Sequence, residues 1–576
     1  MKNNNVLLTA ILIIAVNIFS HGQLTVDPCA PAFDSSKPNY VQGERVSSNG
    51  INYEARYWIN TPPPGPAWLS LGQCGDISDI IGPPYQGKRR VIGYMPTWQA
   101  NYNFDEYDPS KVSHVIVSFL DFKPIDFGIV HDNMNYNSSD FVNEIKFSDQ
   151  SVRAVDSILN HSSTNLYQKS KAANTKVMVA VGGAIDYGFL WLMNRYNNDD
   201  AKINEIANLM VDFVNEHNLD GIDLDMECWW ADATIQKTQD EGGRIRGNNE
   251  GAADQGPHPA AVGITKLAKR LKEIKPDMIV STVVFGTGWY GNNYDEAMAE
   301  YMDWIGIFTY DFTGSWDDTP FGPHGALRKL PLDTYEKQDL DNPIYAAEDV
   351  LEYWTGIAAP TWNHDGGFDI ERNKLCIGAP FYGYDFSTKK PNGGNGYEFE
   401  KYRDIVAKYP NAPTSYDPLS PGAFNGNIKE GGENLFYETP ARIREKMKYL
   451  YDAGLPGIII WELTNDLNPN DSNSLLRAVA DENNKQCDAD ANCDNTLSTP
   501  NIDLDSEFIL FTAGNSVYFD FTQSSKLIKK IQLFDLTGRN VISQDITNKK
   551  GSFEVALSEG IYMIATDNVS KLVYIH

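Results

Sequence analysis

Between Arg89 and about Asn468, short apolar runs of strand length alternate with amphipathic helical patterns, and this alternation constrains the fold most. The strand-like runs are Val91 to Pro96, Val112 to Leu120, Lys176 to Val181, Gly221 to Glu227, Met278 to Phe285, Trp304 to Tyr310, Leu375 to Tyr382 and Gly457 to Trp461. Several are nearly continuous in apolar residues, as parallel strands covered on both faces require. Between them, Ile203, Ile206, Met210, Phe213 and Val214 share one helical face, with Asp199 or Asp200 available as a cap. Ile264, Leu267, Leu271 and Ile274 repeat the pattern. Thr439-Pro440 opens a further helix, lined by Ile443, Met447 and Leu450 and ended by Gly454. Eight strands with intervening helices predict an α/β fold, a (β/α)8 TIM barrel over residues 88–470. Such a barrel places its active site at the C-terminal ends of the strands.

The flanks differ in kind and predict two small all-β domains beside the barrel. Residues 28–76 are rich in Gly, Pro, Tyr and Trp without helical period, and read as a compact module. Gly82-Pro83-Pro84 to Lys88 reads as a linker, and so does the Asn/Asp/Ser-rich stretch 471–506. In 507–576, short strands are predicted at Ser516 to Phe521, Lys530 to Phe534, Gly560 to Ala565 and Lys571 to Ile575, a small β-sandwich. At the other end, Lys2 precedes the apolar run Val6 to Phe19, and Ser20-His21-Gly22 supplies small residues at a cleavage spacing. Residues 1–22 are therefore expected to be a signal peptide, and the protein secreted. No later segment is long and apolar enough for a membrane span.

Six cysteines in an exported chain are candidates for pairing. Cys29 and Cys74 bracket the small module, Cys487 and Cys493 are close in sequence, and Cys228 and Cys376 lie in strand-like segments where free thiols would be buried. The formal net charge of −29, with no basic cluster, excludes nucleic acid as the partner, since polyanion binding needs grouped Lys and Arg.

Asp220 to Glu227, DGIDLDME, is the most informative segment. Side chains alternate along a strand, so Asp223, Asp225 and Glu227 share one face and Ile222, Leu224 and Met226 the other. The apolar face suits packing on helices, which sends the acidic face into the barrel towards its mouth. Unpaired buried carboxylates cost several kcal/mol each, and crowded like charges cannot all ionise. At least one carboxyl is expected to hold its proton near neutrality, as a general acid must.

DGIDLDME matches the DxxDxDxE signature of glycoside hydrolase family 18, which includes many chitinases, and the chain resembles that family along the whole expected barrel. Ala180-Val181-Gly182-Gly183 is similar to its SxGG, Thr309-Tyr310-Asp311 to its MxYD, Gly378-Ala379-Pro380-Phe381-Tyr382-Gly383 to its GxPFYG, and Trp461-Glu462-Leu463 to its tryptophan end. The resemblance implies retaining, substrate-assisted hydrolysis of N-acetylglucosamine linkages without metal or cofactor. Glu227 would be the proton donor, Asp225 would orient the acetamido group, Asp223 would tune Asp225, and Tyr310 would bond the attacking carbonyl oxygen. Asp311, Trp461 and Tyr382 would bind the sugar, with Trp461 as its floor. Tyr94 and Phe119 either line the same pocket or pack beneath it. Ala180, Ala184, Cys228 and Phe308 depart from the family pattern and bear on subsite shape. Tyr384 to Phe436 is short for the insertion that deepens the groove in some members, which implies a shallower cleft.

The module at 28–76 resembles the type-3 chitin-binding domain through Tyr40, Gly43, Val46, Gly50, Tyr53, Ala55, Tyr57-Trp58 and Trp68. That resemblance implies that Tyr57, Trp58 and Trp68 supply chitin contacts; as strand neighbours, Tyr57 and Trp58 would face opposite sides. The last 70 residues or so, with Lys530 to Arg539 and Gly560 to Ile564, resemble the sorting domain of the type IX secretion system, which implies outer-membrane secretion machinery as a partner. The expected substrate is chitin or N-acetylglucosamine oligosaccharides. An endo-β-N-acetylglucosaminidase on glycoproteins and a non-catalytic lectin on the same barrel are the alternatives.

Overall fold

A computed structural model describes residues 29–65, 67–74, 82–99, 102–123, 142–229, 257–286, 288–291, 293–314, 319–320, 322–330, 343–356, 368–386, 398–414, 435–490 and 493, and in the C-terminal segment 509–513, 516–520, 530–535, 539–547, 550–555, 560–566 and 570–575. The expected signal peptide lies outside the described residues. Chain contacts divide the protein into two units between Cys493 and Asp494.

In the small module, β1 (Arg45–Ser48), β2 (Ile51–Ala55) and β3 (Trp68–Gln73) form an antiparallel sheet. Tyr40, Val46, Tyr53, Ala55, Ala67 and Trp68 fill its core, and the Cys29–Cys74 disulfide closes it. A core of so few residues gains from such a cross-link. The aromatics divide differently from expectation. Trp68 is buried, its indole N–H donating to Thr61 O at 2.9 Å, so it is a core residue and not a surface contact. Since β2 ends at Ala55, strand parity does not apply to Tyr57 and Trp58, and both are exposed, at 54% and 62%.

The barrel strands are β4 (Arg90–Pro96), β5 (His114–Leu120), β6 (Lys176–Gly183), β7 (Gly221–Met226), β8 (Ile279–Phe285), β9 (Trp304–Phe308), β10 (Leu375–Pro380) and, after an insertion, β14 (Gly457–Trp461). They close in chain order, each neighbouring pair parallel. All eight runs are found, but three stop short of expectation: β7 ends at Met226, β9 at Phe308 and β10 at Pro380. Glu227, Tyr310 and Tyr382 thus leave the ladder and stand at the barrel mouth. Alternation sorts the side chains. Ile92, Tyr94, Ile116, Met178, Ala180, Val283, Trp304, Cys376 and Ile459 pack inside the barrel, while Ile222, Leu224 and Met226 join the layer beneath the helices. One covering helix, Asp200–Glu216, is capped by Asp199, whose carboxylate accepts from Lys202 N at 3.1 Å.

The described residues between Tyr384 and Phe436 belong to a small insertion after the seventh barrel strand. β11 (Tyr382–Asp385), β12 (Glu398–Lys401) and β13 (Leu435–Tyr437) form an antiparallel sheet in the order β12-β11-β13, followed on β12 by the helix Tyr402–Lys408.

The expected linker 471–506 also needs correction. Leu475–Ala489 is a helix packed on Pro440–Ala453, with Leu475, Leu476, Ala478 and Val479 buried. Burying each leucine side chain is worth about 2 kcal/mol. Asp466 fixes its start, accepting from Leu475 N at 3.0 Å, Leu476 N at 2.8 Å and Ser474 Oγ at 2.7 Å. The Cys487–Cys493 disulfide follows its last turns, and the barrel unit therefore continues past residue 470. Cys228 and Cys376 are buried free thiols.

The second unit holds two antiparallel sheets. β15 (Ile509–Ala513), β16 (Ser516–Asp520) and β19 (Lys550–Glu554) form one, in the order β15-β16-β19. β17 (Lys530–Phe534), β18 (Asn540–Asp545), β20 (Gly560–Ala565) and β21 (Ser570–Ile575) form the other, in the order β18-β17-β20-β21. Val517, Phe519, Ile531, Leu533 and Val555 make its core.

Candidate active site

β7 delivers the acids. Its apolar residues face the helices, so Asp223 and Asp225 point inward, buried, and Glu227 follows one residue beyond the ladder, half-buried. The strand before it must come very close for this to happen. Gly182 has φ +114°, and a Cβ there would sit 1.9 Å from Asp225 O. Only glycine fits both demands.

Two hydroxyls hold Asp223: Ser281 Oγ donates to Oδ1 at 2.6 Å and Tyr94 Oη to Oδ2 at 2.8 Å. Burial nevertheless raises its pKa to about 6, against the pull of those bonds. Asp225 hydrogen-bonds Glu227, and burial followed by the Glu227 and Asp223 charges keeps its carboxyl well above the usual range. Its Oδ1 is buried without a hydrogen-bond partner among the described residues. Glu227 is pushed up to about 7, chiefly by burial; its bond to Asp225 opposes this, and the Asp311 and Asp223 charges add to it. The row can therefore carry a proton at neutral pH on a group facing the mouth.

Tyr310 is set by a close approach of backbone. A Cβ on Gly378 would lie 2.4 Å from the Tyr310 ring, and Thr309 Oγ1 bonds both Gly378 O at 3.0 Å and Gly378 N at 2.9 Å. Tyr310 is buried and feels, after that burial, the charges of Asp311, Glu227, Asp225 and Asp223, so it stands among all four carboxyls. Asp311 has φ +56°, a costly conformation for a residue with a side chain. Its Oδ1 accepts from Tyr382 Oη at 2.6 Å and Tyr384 Oη at 3.1 Å, and His324 Nδ1 lies 3.4 Å away.

Trp461 ends β14 inside an aromatic group. Its ring is 5.6 Å from Tyr94, 5.9 Å from Phe119 and 6.1 Å from Trp98, and Phe119 and Trp98 stack at 6.1 Å. Trp98 is 55% exposed. The structure thus brings together Glu227, Asp225, Asp223, Tyr310, Asp311, Tyr382 and Tyr94 through bonds and charge, with Trp461 joined through Tyr94 and Phe119 through Trp461. Sequence reasoning missed Trp98, Ser281, Tyr384 and His324. Inward parity on β8 could have found Ser281, and the position of Trp98 two residues past β4 could have found it; His324 carried no signal. Of the departures from the family pattern, Ala180 packs inside the barrel, Cys228 donates to Gly183 O at 3.2 Å, and Phe308 tilts against Tyr310 at 5.4 Å. Among the described residues, no group of three or more His, Cys, Asp or Glu side chains is arranged to hold a metal ion, and no helix is long and apolar enough to cross a membrane.

Comparison with known proteins follows the barrel. Chitinase A1 of Niallia circulans is 26% identical over 444 residues, covering 67% of this chain and 58% of that protein. Chitinase C of Streptomyces lividans is 24% identical over 463 residues, covering 75% of this chain and 67% of that protein. The chain thus spans little more than half the length of the first of these relatives. A solved structure, the chitinase ChiB from the chitin utilization locus of Flavobacterium johnsoniae, is 19% identical over 69% of this chain and 95% of its own, with a TM-score of 0.42. The sequence profile of Glycosyl hydrolases family 18 matches residues 90–466, from the first strand of the barrel to the turn after Trp461. The chain belongs to that family.

Proposed function

We propose that the protein hydrolyses β-1,4 linkages between N-acetylglucosamine units of chitin, with retention, using the substrate's own acetamido group as nucleophile. One observation carries the reading: the inward row of Asp223, Asp225 and Glu227, with Glu227 raised to about 7 and Asp225 Oδ1 buried without a partner. A buried acceptor left open is costly, and an acetamido N–H is the donor that would satisfy it.

Glu227 donates its proton to the glycosidic oxygen as the C1–O bond breaks. The acetamido oxygen attacks C1 and closes an oxazolinium ring, whose positive charge Asp225 stabilises through the ring N–H. Asp223, held by Tyr94 and Ser281, keeps Asp225 oriented. Tyr310 donates to the acetamido oxygen and aligns it. Water then attacks C1 and gives its proton to Glu227 as the oxazolinium C1–O bond breaks and the acetamido group is restored, and the two inversions at C1 sum to retention. Trp461, with Phe119 and Trp98 beside it, supplies an apolar face for sugar rings. The proton relay at Glu227 is worth about 10²–10⁴-fold in rate.

The flanking parts fit the same role. The exposed Tyr57-Trp58 pair supports attachment of the small module to a chitin surface. Residues 1–22 and the C-terminal unit would direct secretion, the latter through outer-membrane machinery.

Product analysis on chitin hexamer beside a high-mannose glycopeptide tests the reading. Cleavage of the hexamer with retained configuration, abolished by Glu227→Gln, is the expected result. Cleavage of the glycopeptide alone would assign an endo-β-N-acetylglucosaminidase, and binding of the hexamer without turnover a lectin.

A further inference from the structure

Large exposed apolar side chains among the described residues fall into two sets. Val41, Tyr57 and Trp58 belong to the small module; Trp98, Ile185 and Phe399 belong to the barrel unit. Trp98 and Ile185 each follow a barrel strand, β4 and β6, at the mouth. Phe399, 48% exposed, comes from β12 of the insertion.

Its position is set by register. Phe399 pairs with Tyr384 and Lys401 with Tyr382, so these four side chains share one face of the sheet. The Phe399 ring stacks on Tyr382 at 4.8 Å and 30°, and meets Tyr384 edge-on at 6.5 Å. Those two tyrosines are the ones that hold Asp311. Lys401 Nζ, two residues on, bonds Gln99 Oε1 at 2.7 Å, beside Trp98. The face that carries Phe399 is therefore continuous with the acid site at one edge and with the Trp98 loop at the other.

A lone exposed phenylalanine needs no explanation by itself. This one sits on a strand, stacked on the Tyr382 ring and half exposed to solvent, within two side chains of a carboxylate of the catalytic group. We propose that Phe399 is a sugar-binding residue of the cleft, its open face covering the apolar face of an N-acetylglucosamine unit beyond the one held over Trp461. This rests on the chitin reading above and adds to it a wall supplied by the insertion sheet. A ring that binds a remote unit acts only on substrates long enough to reach it.

The test uses the full chain with chitin oligomers from dimer to hexamer and a chromogenic aryl glycoside of a single N-acetylglucosamine disaccharide. Phe399→Ala is expected to lower kcat/KM on the hexamer about five- to tenfold, mostly through KM, while the short glycoside is cleaved as before. Phe399→Trp is expected to restore the hexamer value, and thermal unfolding of both variants to match the parent. An equal loss on every substrate would overturn the proposal, since it would place the effect at Asp311; an unchanged hexamer value would overturn it too. If the parent protein cleaves no chitin oligomer, the chitin reading fails instead.

Discussion

The two ends of one strand treat carboxylates in opposite ways. Asp220, just before β7, meets Lys171 Nζ at 2.6 Å, Lys176 Nζ at 3.2 Å and Val177 N at 2.8 Å. Burial alone would raise its pKa, but the Lys171 bond and its neighbours win, and the carboxyl sits below its ordinary value. At the other end, Asp223, Asp225 and Glu227 have hydroxyls and each other, and all three are raised. The first arrangement fastens the strand to its neighbour β6. The second stores proton affinity at a cost in stability, which is the signature of a site selected for chemistry.

The largest expected effect breaks the functional end. Glu227→Gln keeps the shape and removes the transferable proton, so kcat on chitin hexamer is expected to fall by about 10³-fold or more, as read by product formation. Binding of the hexamer should persist by calorimetry. A loss under tenfold would move the proton donor elsewhere. The structural end should answer in the opposite sense. Asp220→Ala leaves two lysines without their shared carboxylate, and is expected to cost about 1–3 kcal/mol in urea unfolding with kcat kept within about twofold. A matching drop in kcat would show that the two ends are not separable.

How much of this could be read from the chain follows from what each residue contacts. The row of acids was legible because strand parity is local and because a parallel barrel forces near-continuous apolar runs around it. Gly182 and Gly378 were legible as parts of motifs, though their reasons, the Asp225 carbonyl and the Tyr310 ring, are contacts between strands. Tyr384 and His324 were not legible, since they reach Asp311 from segments 73 and 13 residues away in directions no local pattern states. The helix Leu475–Ala489 hid behind its Asn and Asp content, because its buried face mixes Leu475, Leu476, Ala478, Val479 and Cys487 with the polar Glu482 and Asn483. Trp58 and Trp68 have the same side chain and opposite fates, decided by where β2 stops and β3 begins.

A smaller effect probes how the functional end is tuned. Asp311 adds its charge to the burial that holds Glu227 protonated. Asp311→Asn removes that charge, so Glu227 should ionise at lower pH. The alkaline limb of kcat/KM, expected near pH 7 in the parent, should move acidward, whatever happens to the plateau. An unmoved limb would mean that burial and the Asp223 charge set the acid without Asp311.

The smallest effect concerns stability against pH, where the two ends differ in sign. Asp220 is depressed in the folded state, so its contribution is present above the ordinary carboxylate pKa and is lost as pH falls through its folded value. Glu227 is raised from 4.5 to about 7, so the folded state binds the extra proton, and stability falls as pH rises between those two values. Gln in its place cannot ionise. Glu227→Gln should therefore lose less stability than the parent between pH 5 and pH 8, by about 1–3 kcal/mol in urea unfolding. Asp220→Ala should show the contrary shift, with its deficit largest at neutral pH and shrinking as pH falls below the ordinary carboxylate value and through the lower folded one. Parallel pH curves for all three proteins would erase the distinction, and would leave the raised carboxyls at the mouth as a local feature without a thermodynamic cost.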